Sequence, residues 1–227
     1  MRRVILLLLS VLVAGLQLST AQVAKQQITL DDLFKKGTFR SKSIWGLTPM
    51  NDDEYYSALN DKRQVAKFKL ATGDQVEVLF DPTVFDVPDL NAMSGYQLSA
   101  DETKMLVETN PQSIYRHSYT AENFIYNIKT KELRRLSSNG PQMNAAFSPD
   151  GSKVAFVRSN NIYIVDLNNF EEIQVTTDGE YNSIINGAAD WVYEEEFALT
   201  TGLQWSPDSK KLAYFRFDES RVKMFNM

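Results

Sequence analysis

The sequence predicts an all-β chain, the N-terminal part of a β-propeller whose four-stranded blades make an incomplete circle, with a short N-terminal helix and a short acidic helical insertion. Three observations carry this reading. Beyond the first helix the chain runs in short alternating apolar and polar stretches bounded by turn residues, the period-two grammar of strands. One hairpin pattern, an apolar run, a Ser-Pro-Asp turn and a second apolar run, occurs twice in full and once in weaker form. The copies lie 49 residues apart from Ser99 to Ser148 and 58 apart from Ser148 to Ser206, a spacing that suits propeller blades.

The elements follow in chain order. Arg2 and Arg3 precede an apolar run from Val4 to Leu16, and Ser19-Thr20-Ala21 offers small residues for cleavage, so residues 1–21 read as a secretory signal peptide with the mature chain starting near Gln22. The run is too short for a membrane span, which needs about 20 apolar residues. A helix is signalled next: Thr29 caps, Asp32 follows three residues on, Leu30, Leu33 and Phe34 make an apolar stripe, and Lys35-Lys36-Gly37 closes it. Residues 22–44 form this lead segment, and 45–227 the partial propeller.

Gln64–Leu70 and Gln75–Phe80, joined by Ala71-Thr72-Gly73-Asp74, read as a β-hairpin. The repeated hairpins are Ala146–Phe156 and Leu203–Tyr214, with the weaker copy over Gln97–Val107, and each begins a unit. The longer second spacing is explained by an acidic insertion around Asp190–Phe197. A β-sandwich with chance turn similarity is the competing architecture, but sandwiches space their turn signals more evenly. At about 50 residues per blade the mature chain supplies about four blades. The last hairpin runs into Met227 with no closing strand, and an open arc leaves unpaired edges, so the chain reads as part of something longer.

Composition narrows the function classes. Hydrophobic residues make up 43% and charged residues 23%, enough for a real core in a folded chain. The net charge of −5 with both signs interspersed lacks the basic stripe that a phosphate backbone requires, which argues against nucleic acid. With no cysteine, disulfides, thiolate zinc sites, cysteine nucleophiles and a lipid-acceptor cysteine near Ala21 are all excluded, and a periplasmic or secreted product is expected. No cofactor and no metal is expected. There is no G-x-S-x-G elbow, H-E-x-x-H, Walker loop or dinucleotide fingerprint, so no catalytic residue is assigned within the chain.

Two stretches could carry chemistry. In Asp190-Trp191-Val192-Tyr193-Glu194-Glu195-Glu196-Phe197, Asp190 can cap a short helix whose first turns favour negative charge, and a solvated acidic turn is the plain reading. Against it, Trp191, Val192, Tyr193 and Phe197 wrap the run and draw it toward apolar surroundings, where paired carboxylates repel unless a cation sits between them. Residues adjacent on a helix point about 100° apart, so Glu195 and Glu196 can flank one cation while Glu194 turns away. The sharper reading is a two-carboxylate clamp for an amine.

The second stretch is Tyr115-Arg116-His117-Ser118-Tyr119-Thr120-Ala121. Arg116, read on a strand, is either a surface charge or a planar fork of donors for a substrate carbonyl or carboxylate. His117 is the only histidine, and with no nucleophile or second histidine beside it a structural hydrogen-bonding role is expected.

At these two stretches the chain resembles the dipeptidyl peptidase IV branch of the prolyl oligopeptidase family. Asp190–Phe197, preceded by Asn186-Gly187-Ala188-Ala189, is similar to that branch's double-glutamate motif, and Arg116–Ala121 to its substrate-arginine motif. The similarity runs from about Ile28 to Tyr214. It implies an eight-bladed propeller fused to an α/β-hydrolase domain with a Ser-Asp-His triad, none of which lies in these residues, and a full-length form that is homodimeric. It further implies that Glu195 and Glu196 hold the free N-terminal ammonium of a peptide substrate, that Arg116 contacts the carbonyl of its second residue, and that dipeptides are released after proline or alanine. A different class stays open beside it, a non-catalytic propeller module that binds peptides or proteins. DNA continuing past Met227 to a G-x-S-x-G motif favours the first, and a genuine stop with a soluble folded product favours the second.

Overall fold

The computed structural model describes residues 27–41 and 46–223, so the expected signal peptide and its cleavage site lie outside the described residues. Two compact units divide at Ser43 and Ile44. In the first, helix α1 (Leu30–Phe34) begins on a complete capping box: the Asp32 amide donates to Thr29 Oγ1 at 3.2 Å and the Thr29 amide donates to Asp32 Oδ2 at 2.9 Å. Two of the amides that a helix start leaves unpaired are thereby satisfied, as the Thr29–Asp32 spacing led one to expect.

The second unit is built of antiparallel sheets taken up in chain order. Strands β1 (Thr48–Pro49), β2 (Tyr55–Leu59), β3 (Val65–Lys69) and β4 (Gln75–Phe80) make the first four-stranded blade. Strands β5 (Met93–Leu98), β6 (Lys104–Ser113), β7 (Tyr119–Asn127) and β8 (Leu133–Arg135) make the second. The third holds β9 (Met143–Phe147), β10 (Lys153–Arg158), β11 (Asn161–Asp166) and β12 (Glu171–Gln174). In each, every strand bonds only the one before and the one after it, the meander of a propeller blade.

Blades pack face to face, and their middle strands are buried on both sides. From β6, Met105 and Val107 enter the core shared with the first blade, while Leu106 enters the core shared with the third. From β10, Val154 and Phe156 face the second blade, while Ala155 and Val157 face the residues that follow, Ala188, Leu203 and Trp205. Period-two alternation thus sends successive side chains into two different cores. The uninterrupted apolar runs Met105-Leu106-Val107 and Val154-Ala155-Phe156-Val157 follow from this, since a strand dry on both faces has no polar side to show.

The repeated turns are locks with one geometry. The hydroxyls of Ser99, Ser148 and Ser206 each donate to the aspartate two residues on, Asp101, Asp150 and Asp208, at 2.6 Å. Each hydroxyl oxygen also accepts the amide five residues on, from Lys104, Lys153 and Lys211, at 3.0, 3.0 and 2.9 Å. Neighbouring turns join one another: the Asn51 side-chain amide donates to Ala100 O at 2.7 Å, and the Asp150 amide donates to Ser209 Oγ at 3.0 Å.

After the third blade the pattern changes. Strands β14 (Leu203–Trp205) and β15 (Leu212–Tyr214) form the repeated hairpin as a two-stranded sheet, and β13 (Ile184–Asn186) pairs with β16 (Arg216–Asp218). The expected four blades therefore come as three complete ones and a fourth that is begun, its first hairpin packed on the third blade through Trp205, whose indole donates to Ala146 O at 3.3 Å. Between β13 and β14 lies the acidic helix α2 (Trp191–Phe197). Its entry is stitched to the body at Gly187, whose amide donates to Phe215 O at 2.9 Å; the residue takes φ +77° and a Cβ there would stand 2.9 Å from Ile162 Cγ1, so a side chain would be strained and would force Ile162 to shift.

Candidate functional site

The Asp190 carboxylate caps α2 by accepting the Tyr193 amide at 2.8 Å, and the helix stops at Ala198 in the left-handed conformation. With its start fixed and only two turns to run, α2 holds its three consecutive glutamates in three directions.

Opposite it stands the loop between β6 and β7. A bulge at Asn110, with φ +51°, breaks the β6–β7 register between Thr109 and Gln112 and re-aims the end of the hairpin. The loop closes when the Ile114 and Tyr115 amides donate to Ser118 O at 2.9 and 3.3 Å. Arg116 sits at this loop's tip and not on a strand, which corrects the expectation from sequence; pairing resumes past the bulge at Gln112 and Thr120 and ends at Ser113 and Tyr119, so residues 114–118 make the turn.

Glu194 is buried, and its Oε1 accepts the amides of His117 and Ser118 at 2.8 and 2.9 Å, joining positions 77 and 76 residues apart. Burial pushes its carboxyl pKa up, but the adjoining Ser118, whose hydroxyl makes no hydrogen bond of ordinary geometry, and the two amides, with help from His117, outweigh it and hold Glu194 below the ordinary glutamate range. Glu195 faces Arg116: the guanidinium Nη2 lies 2.7 Å from Oε1 and Nε donates to Oε2 at 3.2 Å, a two-pronged charge-assisted contact. Glu196 is exposed and makes no hydrogen bond or ion pair among the described residues. One guanidinium against these last two carboxylates leaves one negative charge uncompensated.

The structure therefore brings Arg116 and Glu195 into contact and sets Glu196 beside them on the helix. Glu194 does turn away, as its helical position required, but it turns into the body and grips the arginine loop, a role the sequence did not reveal. The expectation that Trp191, Val192, Tyr193 and Phe197 dry the acidic run is corrected: they are 52%, 48%, 43% and 69% exposed. A seven-residue helix has one face to bury, and Glu194 occupies it, leaving Tyr193 tilted against Phe197 and edge-on to Phe217. His117 contributes its backbone amide, while the residue itself stays exposed, so its structural part is played by the main chain.

A cavity of about 270 Å³ adjoins the loop, lined by Tyr115, Ser118, Tyr181, Asn182, Ala189 and Glu219 among others, with Arg116, Glu195 and Glu196 outside its wall. Burial and the nearby Asp190 carboxylate push the Glu219 pKa up, and burial together with Tyr181, Glu219, Glu194 and Asp190 does the same to Tyr115. The wall is mixed: Tyr115, Tyr181 and Glu219 face it together with the guanidinium of Arg158 and the aliphatic side chains of Ile114, Val157 and Ile185.

Residues 99–227 match the family model for the dipeptidyl peptidase IV N-terminal region. The chain belongs to the dipeptidyl peptidase IV branch of the prolyl oligopeptidase family. Its fold matches the crystal structure of Porphyromonas gingivalis dipeptidyl peptidase 4 with a TM-score of 0.78 and 39% identity, over 87% of this chain and 28% of that one. Among curated relatives, prolyl endopeptidase FAP of Bos taurus is 36% identical over 86% of the chain, and dipeptidyl peptidase 4 of Felis catus 32% identical over 88%. The chain spans about a quarter of the length of these relatives, 25% and 26%. It holds the N-terminal propeller region of the dipeptidyl peptidase IV branch, with Arg116 on the second blade and the three glutamates between the third blade and the fourth. Among the described residues no helix is long and apolar enough to cross a membrane.

Proposed function

We propose that this chain is the substrate-anchoring propeller portion of an exported serine exopeptidase that releases dipeptides from the N-terminus of peptides. Glu195 and Glu196 receive the substrate's free α-ammonium, and Arg116 contacts the carbonyl of its second residue. The observation that carries the reading is the Arg116–Glu195 contact beside an unpaired Glu196. Arg116 neutralises one carboxylate and orients it, while the charge left over matches the single positive charge of an α-ammonium. An ammonium has three donors, enough to reach both carboxylates at once.

The anchor sets the length of the product. Two residues span about 7 Å, so a nucleophile at that distance from the clamp meets only the second peptide bond. The nucleophile and its base belong to a hydrolase part beyond these residues. The leader at 1–21 supports export, and the preference for proline or alanine at the second position comes with the family resemblance.

The test is to replace Glu195 or Glu196 by alanine in the protein expressed from its complete reading frame. Loss of a hydrogen-bonded charge from a half-exposed clamp is worth about 2–3 kcal/mol, so kcat/KM for a free-amine peptide should fall roughly 30- to 150-fold while the thermal midpoint stays within a few degrees. Wild-type kinetics in both variants would overturn the assignment.

A further inference from the structure

We infer that Glu194, which is buried on the amides of His117 and Ser118, is a positioning residue that holds Arg116 in place for the peptide; the inference rests on the clamp reading above. Arg116 sits at the tip of a five-residue loop and its side chain is 69% exposed, so packing does little to fix it. What does fix the loop is the disposition of its amides. Those of Ile114 and Tyr115 go to Ser118 O, within the loop, and those of His117 and Ser118 go to one buried oxygen of Glu194. Amides on the C-terminal side of Arg116 are thus tied to α2, the same helix whose next residue grips the guanidinium.

The consequence is geometric. Glu194 and Glu195 hold the second-blade loop by its backbone and by its side chain at adjacent points of one helix. Any shift of α2 then carries Arg116 with it, and the spacing between Arg116 and the two clamp carboxylates is preserved. A neutral acceptor can make the same two bonds, whereas a methyl group leaves two amides without a partner at a site that is 1% exposed. Ser118, itself only 4% exposed, cannot turn its amide to water without opening the loop.

The experiment is a double-variant cycle on the protein expressed from its complete reading frame, read with a free-amine dipeptidyl substrate. Glu194→Ala should raise KM roughly 10- to 100-fold with a smaller change in kcat, and Glu194→Gln should recover most of that loss. If Glu194 acts through Arg116, then Arg116→Ala with Glu194→Ala should be no worse than Arg116→Ala alone within about threefold, because coupled residues do not add. Should Glu194→Ala fail to fold, Glu194→Asp draws the acceptor back by one methylene and should show a smaller KM rise with the same non-additivity. A wild-type KM in the folded variants, or losses that multiply in the double variant, overturns the inference. Failure of the clamp reading looks different: Arg116→Ala and Glu195→Ala would then be harmless whatever Glu194 does.

Discussion

Three consecutive glutamates on a two-turn helix meet three environments: Glu194 buried on backbone amides, Glu195 half-buried on a guanidinium, Glu196 open. Each step of about 100° around the helix changes the partner, so one run of identical residues yields a brace, an oriented carboxylate and a free one. The pH dependence of capture follows. Glu194 has a depressed pKa in the fold, so its stabilisation is complete above the unfolded glutamate value of about 4.3 and fades only as pH falls below it. At neutral and alkaline pH the changing group is the substrate's own α-amine, at about 7.7–8.0. KM for a free-amine peptide should therefore be flat from about pH 6 to 7 and rise as pH passes about 8, with kcat less affected; a KM that stays level to pH 9.5 contradicts capture of the charged amine. The acidic run and the arginine motif were both legible as residue types. That Glu194 parts from the other two was legible from the helical step, but that it turns into the body to hold the arginine loop was not, because that depends on how the helix is rotated against the body, and Asp190 fixes only where it starts.

At the scale of elements, the Ser-x-Asp turn is the unit the chain repeats. The weak copy at Ser99-Ala100-Asp101 lacks the proline yet reproduces the 2.6 Å serine–aspartate bond, so the hydroxyl and the carboxylate matter more than the fixed φ of proline. Ser148 is 1% exposed and serves both as donor to Asp150 and as acceptor from the Lys153 amide, so Ser148→Ala should destabilise by about 1–3 kcal/mol, read as a lowered urea midpoint. The Ser148 hydroxyl and the Ser152 amide hold the Asp150 pKa far below the usual aspartate range, and Ser206 lowers that of Asp208. A depressed carboxylate stabilises fully above its unfolded value of about 3.9 and loses that contribution as pH falls through the folded one. Asp150→Asn should accordingly flatten the acid limb of the stability curve between about pH 4 and 2; an unchanged limb contradicts the lock. Hairpins and turns were legible because their chemistry is local. The Asn110 bulge was not, since nothing in its neighbours distinguishes an extra residue from a regular one, and neither was the point at Ser113 and Tyr119 where pairing stops and leaves Arg116 in a turn.

At the scale of the molecule, spacing predicted blades and the structure explains why spacing was needed: the middle strands are apolar on both faces, so alternation alone blurs where the blades pack most tightly. Runs such as Val154-Ala155-Phe156-Val157 were the overlooked signal, because a sandwich strand buries one face and a central blade strand two. The count of blades was legible only roughly, since the insertion that carries α2 lengthens the stretch between the repeated hairpin of the third blade and that of the fourth. What the fold does for function is to set a loop of the second blade against a helix that precedes the fourth, positions 79 residues apart joined at Arg116 and Glu195. The central claim is that this junction reads a charged peptide terminus, and the most direct measurement compares one peptide with a free and with an acetylated N-terminus on the protein expressed from its complete reading frame. The account predicts that acetylation lowers kcat/KM at pH 7 by at least about 30-fold and that Glu196→Ala narrows the gap. Equal turnover of the two peptides by the unaltered protein would contradict it.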